Sequence, residues 1–234
     1  MSGVKRLGLL IPSSDITMER EFCKYLPDTI SLHVTRMPLG EVTPESLAKM
    51  AKESAKSARL IMDAEPHLIV YGCTSGSFLW GKGSDEKLER KIASISGVPT
   101  LTTAHAVVEA LKSLGADTLV VYTPYIEKIN QIEKKFFEDN GFSVLSIHGM
   151  NIVKDIEIGK LDPQQVYKFV VEHDEPKAGT LFISCTNLKT LDIIPKLRKE
   201  LGKPVVSSNL ATLWTVCKRL GGREKQEIFE GLPY

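Results

Sequence analysis

The sequence has no excess of charge of one sign and no long hydrophobic run. Its 234 residues carry 30 basic and 29 acidic side chains, which gives a net charge of +1. A balanced charge without long runs of either sign gives no reason to expect a nucleic acid or an anionic membrane as partner. Every apolar run is shorter than the about 18–20 residues that are needed to span a bilayer.

The amino-terminal segment also lacks the features of a targeting signal. The stretch MSGVKRLGLLIPSSD holds about five apolar residues before its proline, whereas the apolar core of a signal peptide has about 7–15. We therefore expect the first strand of the fold here, and a cytoplasmic protein.

Cysteine is scarce and widely spaced. The four cysteines form no CxxC pair, which argues against a zinc knuckle or a thioredoxin-type motif and favours free thiols. The histidines show no metal-ligand spacing. The stretch GCTSGS lacks the Gly-Lys-Ser/Thr ending of a phosphate loop, and neither a GxSxG elbow nor a dinucleotide fingerprint occurs. We expect no metal and no cofactor.

Short β-rich runs alternate with amphipathic helical stretches along the whole chain. This alternation predicts βαβ units with parallel sheets and helices on both faces. Three helix starts carry capping residues: Thr43 and Asp162, each followed by proline, and Ser84. The predicted strands are RLGLLIP, ISLHVTRM, HLIVYG and VPTLTT, then TLVVYTP, FSVLSIHGM, GTLFISC and PVVSS.

An internal repeat organises this pattern. The same interval of 112 positions separates Pro12 from Pro124 and Cys73 from Cys185 (124 − 12 and 185 − 73). The sequence therefore predicts an α/β fold of two pseudo-symmetric, Rossmann-like halves, each with a four-stranded parallel sheet, and an active site between them. We place the first half at residues 1–103 plus 209–234, because the last helix should pack back on it, and the second at residues 104–208.

Small polar residues cluster at three predicted strand ends in each half. Ligands bind beyond the carboxyl ends of strands in open parallel sheets, where helix N-termini offer N–H groups to carboxylates. The six segments are PSSD, GCTSGS and TTAH, then TPY, SCTN and SSN. The substrate-binding candidates in them are Ser13, Ser14, Asp15, Thr74, Ser75, Tyr125, Thr186 and Asn187.

The two repeated cysteines are the candidate catalytic residues. A lone cysteine after a strand is usually a packing residue, but Cys73 and Cys185 occupy matched positions, and each is followed by threonine. A helix N-terminus also lowers the pKa of a cysteine placed there. Cys23 and Cys217 lie within amphipathic helices and are interpreted as core, and packing is the default interpretation of Trp80 and Trp214.

Two opposed thiols with carboxylate-binding donors suit one class of reaction. One thiolate removes a proton or adds to carbon next to a carboxylate, N–H and hydroxyl groups hold the enediolate, and the other cysteine delivers a proton on the opposite face. Racemisation, epimerisation and cis–trans isomerisation all fit, and none needs a cofactor.

Five segments resemble the aspartate/glutamate racemase superfamily, in the branch that contains maleate cis–trans isomerase and arylmalonate decarboxylase. They cover nearly the whole chain and are LGLLIPSSDITME, VYGCTSGSF, VVYTPYIEKIN, ISCTNLKTLDIIP and PVVSSNLATLW. The resemblance implies an isomerase that acts on a small carboxylic acid at a site between two domains. It also implies that Cys73 adds to the alkene carbon of a maleate-like substrate and that Cys185 is the opposite acid or base. Tyr125 and the hydroxyls of Thr74, Ser75 and Thr186 would hold the carboxylates.

Two positions depart from the isomerase pattern. The isomerases typically have asparagine where this chain has Asp15 and Asp155, so Asp155 joins Asp15 among the substrate-binding candidates. Either these side chains point away, or one is protonated, or the substrate carries an amino or hydroxyl group. Three alternatives to a maleate isomerase-like enzyme therefore stay open: an amino-acid or hydantoin-type racemase, an arylmalonate decarboxylase-like enzyme that uses Cys185 alone, and a non-catalytic small-anion binding protein. The prevalence of twofold homo-oligomers favours a homodimer.

Overall fold

Two parallel β-sheets form the centre of the protein. The structure, a computed structural model, describes residues 3–222 and 227–232. The strand order is β2-β1-β3-β4 in the first sheet and β6-β5-β7-β8 in the second, so the same order recurs in both halves of the chain. The predicted α/β architecture of two similar halves, each with a four-stranded parallel sheet, is confirmed.

The central strands lead directly into the two cysteine segments. Both β3 and β7 are buried along their whole length, as expected of parallel strands that helices cover on both faces. The strands are β1 (Lys5–Pro12), β2 (Ile30–Met37), β3 (Leu68–Tyr71), β4 (Thr100–Thr102), β5 (Thr118–Thr123), β6 (Ser143–Gly149), β7 (Thr180–Ile183) and β8 (Val205–Ser207).

Helices connect successive strands in both halves. They are α1 (Met18–Tyr25), α2 (Pro44–Ile61), α3 (Thr74–Phe78), α4 (Ser84–Ser96), α5 (Thr103–Ser113), α6 (Glu127–Asp139), α7 (Asp155–Lys160), α8 (Pro163–Glu172), α9 (Ile194–Leu201) and α10 (Ser208–Leu220). Short 3-10 turns lie at Met62–Ala64 and Glu227–Phe229. In the described part of the chain, no helix is long and apolar enough to cross a membrane.

Two of the three predicted helix caps are confirmed. The side chain of Thr43 accepts a hydrogen bond from the Ser46 N–H at 3.2 Å, and Asp162 forms a full capping box. The Ser84 prediction is wrong, because Gly83 takes the cap position with φ of 79°, a conformation that favours glycine. The Ser84 hydroxyl instead donates to the Ser77 carbonyl at 2.8 Å.

The last long helix contacts both halves of the chain. It lies against α1, as the predicted return to the first half requires, and against α5, where Lys218 Nζ is 3.0 Å from Glu109 Oε1. The domain boundaries at residues 1–103 plus 209–234 and 104–208 stay a prediction. Residues 1–2, 223–226 and 233–234 of the predicted first half lie outside the described residues.

Two of the four packing interpretations are wrong. Cys217 and Trp214 are buried, as expected, but Cys23 is exposed and Trp80 has 59% of its surface exposed. The buried residues of α1 are Met18 and Phe22, so the next position along the helix faces away from the core. Trp80 follows α3 in a short connection and lies on the surface between two helices.

Candidate active site

The serine that begins α10 joins the two cysteine segments. Its hydroxyl, Ser208 Oγ, accepts hydrogen bonds from Thr74 Oγ1 at 2.9 Å and from the Cys185 N–H at 3.1 Å. A second, longer contact of 3.5 Å runs from Thr186 Oγ1 to the Gly72 carbonyl. The carboxyl ends of the two sheets therefore meet, and the structure brings the two repeated cysteines to one junction.

Cys73 lies at the N-cap position of α3. It is 96% buried, and its sulfur is 3.8 Å from Ser75 Oγ. Burial raises the pKa of the Cys73 thiol to about 12, while the Gly76 N–H and the Ser75 hydroxyl act in the opposite direction. The site thus holds a neutral thiol at physiological pH before substrate binds.

Cys185 lies in a turn rather than at the start of a helix. Its φ of 98° belongs to the left-handed region, which is costly for a residue with a side chain. Its sulfur accepts a hydrogen bond from the Asn187 N–H at 3.4 Å. Burial raises the pKa of this thiol well above its ordinary value, and the charge of Asp155 adds to that rise.

Tyr125 lies within electrostatic reach of both thiols. It is 99% buried, and burial, together with the proximity of the ionisable Cys185, Glu133 and Cys73, holds its pKa well above the ordinary value. The phenol therefore stays neutral and can donate a hydrogen bond. The Tyr125 hydroxyl lowers the pKa of the Cys185 thiol and so favours the thiolate form, against the larger effect of burial.

The loop after β1 brings Asp15 into the interior. Its Oδ1 accepts from the N–H groups of Thr17 and Met18 at 2.9 and 2.8 Å, which caps the start of α1. Its Oδ2 is buried with no hydrogen-bond partner among the described residues. Burial raises the pKa of Asp15 to about 6, and the charge of Asp155 adds to the rise.

The neighbouring serines have different partners. Ser14 Oγ donates to Asp155 Oδ2 at 2.6 Å, so it fixes the second acidic side chain, whose pKa is also raised by burial. Ser13 is exposed, and its hydroxyl bridges the N–H and the carbonyl of Leu39, both at 3.1 Å. Both of these hydrogen bonds are internal to the protein. Substrate binding by Ser13 stays a prediction.

Asn187 forms hydrogen bonds that connect several segments around the site. Its side-chain oxygen accepts from the Ile16 N–H at 3.0 Å, and its amide nitrogen donates to the Asp155 carbonyl at 2.8 Å. Its own carbonyl accepts from the Thr17 hydroxyl at 2.9 Å. The side chain thus ties the β1 loop and α7 to the Cys185 turn, and direct contact with substrate stays a prediction.

Three side chains near the thiols are absent from the sequence-based candidates. They are Tyr71, Glu133 and Ser208. The Tyr71 hydroxyl is buried with no partner among the described residues, and it lies with the Cys73 sulfur within 3.2 Å of the point that a Cβ on Gly76 would occupy. Ser208 belongs to the polar strand end SSN, which the sequence does mark, whereas Tyr71 sits within a run that reads only as a buried strand.

Glu133 is a fully buried carboxyl behind the Cys185 turn. Ser184, the residue before Cys185, donates from its Oγ to Glu133 Oε1 at 2.6 Å, while Oε2 has no partner among the described residues. Burial raises the pKa of Glu133 to about 8. An acidic residue on the apolar face of α6, beside Ile129, Phe136 and Phe137, is the sequence signal that marks it.

Comparisons with known proteins place the chain among cysteine-containing isomerases and decarboxylases. It is 29% identical to the maleate isomerase of Geobacillus stearothermophilus, over 92% of this chain and 91% of that protein. It is 25% identical to the arylmalonate decarboxylase of Bordetella bronchiseptica, over 94% and 92% of the two chains.

A solved structure of a maleate isomerase is also similar to this chain. The Nocardia farcinica maleate cis–trans isomerase, as a cysteine-to-serine mutant with a covalently bound succinylcysteine intermediate, superposes with a TM-score of 0.89 at 26% identity, over 94% of each chain. The sequence profile described as arylmalonate decarboxylase matches residues 7–229. The chain therefore belongs to the arylmalonate decarboxylase family.

Proposed function

We propose that this protein is a cofactor-independent cis–trans isomerase of a small unsaturated dicarboxylic acid such as maleate, with Cys73 and Cys185 as its catalytic pair. The observation that carries the proposal is the pair of hydrogen bonds to Ser208 Oγ, which holds the two cysteine segments together. The buried Tyr125 interacts electrostatically with both thiols. The relatives support the same reaction class, since maleate isomerases recur among them.

The first step forms a carbon–sulfur bond. The proton of the Cys73 thiol passes to solvent, and the thiolate adds to one alkene carbon of the substrate. The electron pair of the double bond moves toward the adjacent carboxylate, and Cys185 delivers its proton to the neighbouring carbon. The product of this step is a succinyl thioether on Cys73, with Cys185 left as thiolate. The succinylcysteine in the Nocardia enzyme is an intermediate of this kind in a relative.

The second step reverses the first after rotation. The former double bond is now single, so the two carboxyl-bearing carbons rotate about it. Rotation brings the original hydrogen of the protonated carbon to Cys185, and the Cys185 thiolate removes it. The double bond re-forms in the trans geometry, and the Cys73 thiolate leaves. Atoms balance without any co-reactant, because Cys185 gives one proton and takes one back, and solvent restores the proton of the Cys73 thiol.

Neutral donors hold the substrate carboxylates in this proposal. The first-turn N–H groups of α3, at Thr74 and Ser75, have no intrahelical acceptor, and they stand next to Cys73. The Tyr125 phenol stays protonated because its pKa is raised. The hydroxyl of Thr186 completes the set on the Cys185 side. Such fixed donors stabilise the charge that develops on the carboxylate as sulfur adds.

The two acidic side chains act against binding of a dianion. A pair of like charges 4 Å apart costs about 4 kcal/mol at an effective dielectric constant of about 20. Because burial raises the pKa of Asp15 to about 6 and raises that of Asp155, protonation removes this penalty at modest cost. The proposal therefore includes a neutral Asp15 in the complex with a dicarboxylate, where it can donate a hydrogen bond.

Proton NMR in D₂O tests the function directly. The enzyme is incubated with maleate, aspartate, glutamate, a hydantoin and an arylmalonate. We expect fumarate from maleate with deuterium on an alkene carbon, and loss of turnover in both Cys73→Ala and Cys185→Ala. Cys23→Ala is the matched control, since Cys23 is exposed. Full activity in either site variant would contradict the two-cysteine mechanism.

The same panel separates the alternatives. Release of CO₂ from the arylmalonate that survives Cys73→Ala would identify a decarboxylase that uses Cys185, the activity named for the Bordetella relative. Exchange at the α-carbon of an amino acid or the hydantoin would identify a racemase. Absence of deuterium from every acid that binds would identify a binding protein.

A further inference from the structure

An exposed tryptophan lines a surface cleft in the first half of the chain, and no cysteine is among the lining residues. Trp80 has 59% of its surface exposed, although it directly follows the buried Leu79. The cleft has a volume of about 350 Å³ and lies between α2 and α4. Its apolar lining comes from Ala48, Ala51 and Leu88. This volume falls in the range of small-molecule sites, about 300–1,000 Å³.

The rim of the cleft is positively charged. Lys52 on α2 and Lys87 and Lys91 on α4 line it, and none of its lining residues is acidic. Within residues 3–222 and 227–232, these three ammonium groups take part in no ion pair and no side-chain hydrogen bond. Lys24 and Lys128 elsewhere on the surface are paired with carboxylates.

The two properties together describe one class of ligand. An accessible indole offers a flat face on which a planar ring stacks, and ammonium groups bind phosphate oxygens as point charges. A singly charged aryl acid would neutralise only one of the three lysines, whereas a di- or triphosphate reaches several. We propose that the cleft between α2 and α4 binds a nucleoside di- or triphosphate, with its base on Trp80 and its phosphates at Lys52, Lys87 and Lys91.

The cleft differs from the phosphate loop that the sequence excludes. That exclusion concerns GCTSGS, the segment of Cys73, whereas the phosphates here meet side chains of two helices. A hydrogen-bond chain does connect the two places: Ser84 Oγ donates to the Ser77 carbonyl, and the Ser77 hydroxyl donates to the Cys73 carbonyl. The proposal concerns binding alone and does not rest on the isomerase function.

Tryptophan fluorescence gives the direct test, because the chain has two tryptophans and the other, Trp214, is fully buried. The whole protein is titrated with ATP, with adenosine as ring without charge, and with tripolyphosphate as charge without ring. We expect saturable quenching by ATP and at least tenfold weaker binding of either part alone. Calorimetry should show at least tenfold weaker ATP binding in Trp80→Ala and in the triple variant Lys52→Gln/Lys87→Gln/Lys91→Gln.

A triple variant at three lysines of α6, Lys128→Gln/Lys134→Gln/Lys135→Gln, should bind ATP as the parent does. Circular dichroism and thermal unfolding check that each variant is folded. The proposal is overturned if ATP produces no saturable signal, if tripolyphosphate binds as tightly as ATP, or if the two lysine variants lose binding equally. Sedimentation of a dimer that Trp80→Ala dissociates would also overturn it, because a second copy would then occupy the cleft.

Discussion

Thr74 Oγ1 donates a hydrogen bond to Ser208 Oγ at 2.9 Å, and this contact joins residues 134 positions apart. The same oxygen accepts from the Cys185 N–H. One hydroxyl at the start of α10 therefore sets the position of Cys73, through its neighbour Thr74, relative to Cys185. Two thiols that act on opposite faces of one substrate need such a fixed relationship.

Ser208→Ala should damage catalysis more than stability. The change leaves the Thr74 hydroxyl and the Cys185 N–H without their acceptor, at a cost of about 1–3 kcal/mol in unfolding free energy. Displacement of reacting groups by about 1 Å costs roughly a hundredfold in rate, so we expect kcat to fall by about that factor. Ser208→Thr retains the hydroxyl and serves as control. Urea unfolding and steady-state kinetics measure the two effects, and an unchanged kcat would show that Ser208 does not position the cysteines.

Tyr71→Phe should affect the reactivity of Cys73 without loss of stability. The Tyr71 hydroxyl is buried and unpartnered among the described residues, so its removal relieves a desolvation cost rather than breaking a bond. Since it lies near the Cys73 sulfur, it is placed to donate to the thiolate. We expect slower alkylation of Cys73 by iodoacetamide and lower turnover. Tyr122→Phe, at a phenol that donates to the His173 carbonyl, is the control, and equal alkylation rates in parent and Tyr71→Phe would refute the role.

Asp15 should govern how binding of a dicarboxylate depends on pH. Its pKa is raised to about 6, so it is neutral below that pH and repels a dianion above it. We expect KM for maleate to rise roughly tenfold between pH 7 and pH 8, as the neutral fraction falls tenfold per unit. Asp15→Asn keeps the oxygen that caps α1 and should flatten the profile. Parallel KM profiles in parent and variant would exclude Asp15 from the substrate site.

Glu133 should make the fold less stable at high pH. Its pKa is raised from 4.5 to about 8 by burial, so the folded state binds the proton more tightly than the unfolded state does. Stability is therefore greatest below pH 4.5 for this group and falls as pH rises through about 8, by several kcal/mol in total. Glu133→Gln removes the proton-binding group. Urea unfolding between pH 5 and pH 9 should show a shallower decline in the variant, and identical slopes would contradict the buried-carboxyl account.

The strand and helix pattern of this protein follows closely from its sequence, because parallel sheets leave strong signals. The burial of β3 and β7 shows as the apolar runs LIVY and LFI, and the spacing of 112 positions between Cys73 and Cys185 indicates the repeat. Short helices carry no such signal. The helices α3 (TSGSF) and α7 (DIEIGK) have five and six residues, which are too few for a periodic pattern.

Less of the candidate site than of the fold can be predicted from the sequence, and the reason is physical. The predicted strand ends indicate where polar residues cluster, and the structure does bring Thr74, Asp15 and Cys185 to one region. The sequence does not show whether a polar side chain forms hydrogen bonds within the protein, as those of Ser13 and Asn187 do, or is available to a ligand. It also gives no sign that Tyr71, inside a buried strand, directs its hydroxyl toward a thiol.

Mass spectrometry of a trapped adduct tests the central claim most directly. In Cys185→Ser the Cys73 thiolate still adds to maleate, and the serine hydroxyl or solvent supplies the proton to the neighbouring carbon. No thiolate remains to remove a proton in the elimination step, so incubation with maleate should leave a covalent adduct. The account predicts a mass increase of one molecule of maleic acid, located by peptide mapping on the peptide that contains Cys73, and no such adduct in Cys73→Ala. An adduct on another cysteine, or none while Cys185→Ser still turns over maleate, would contradict the account.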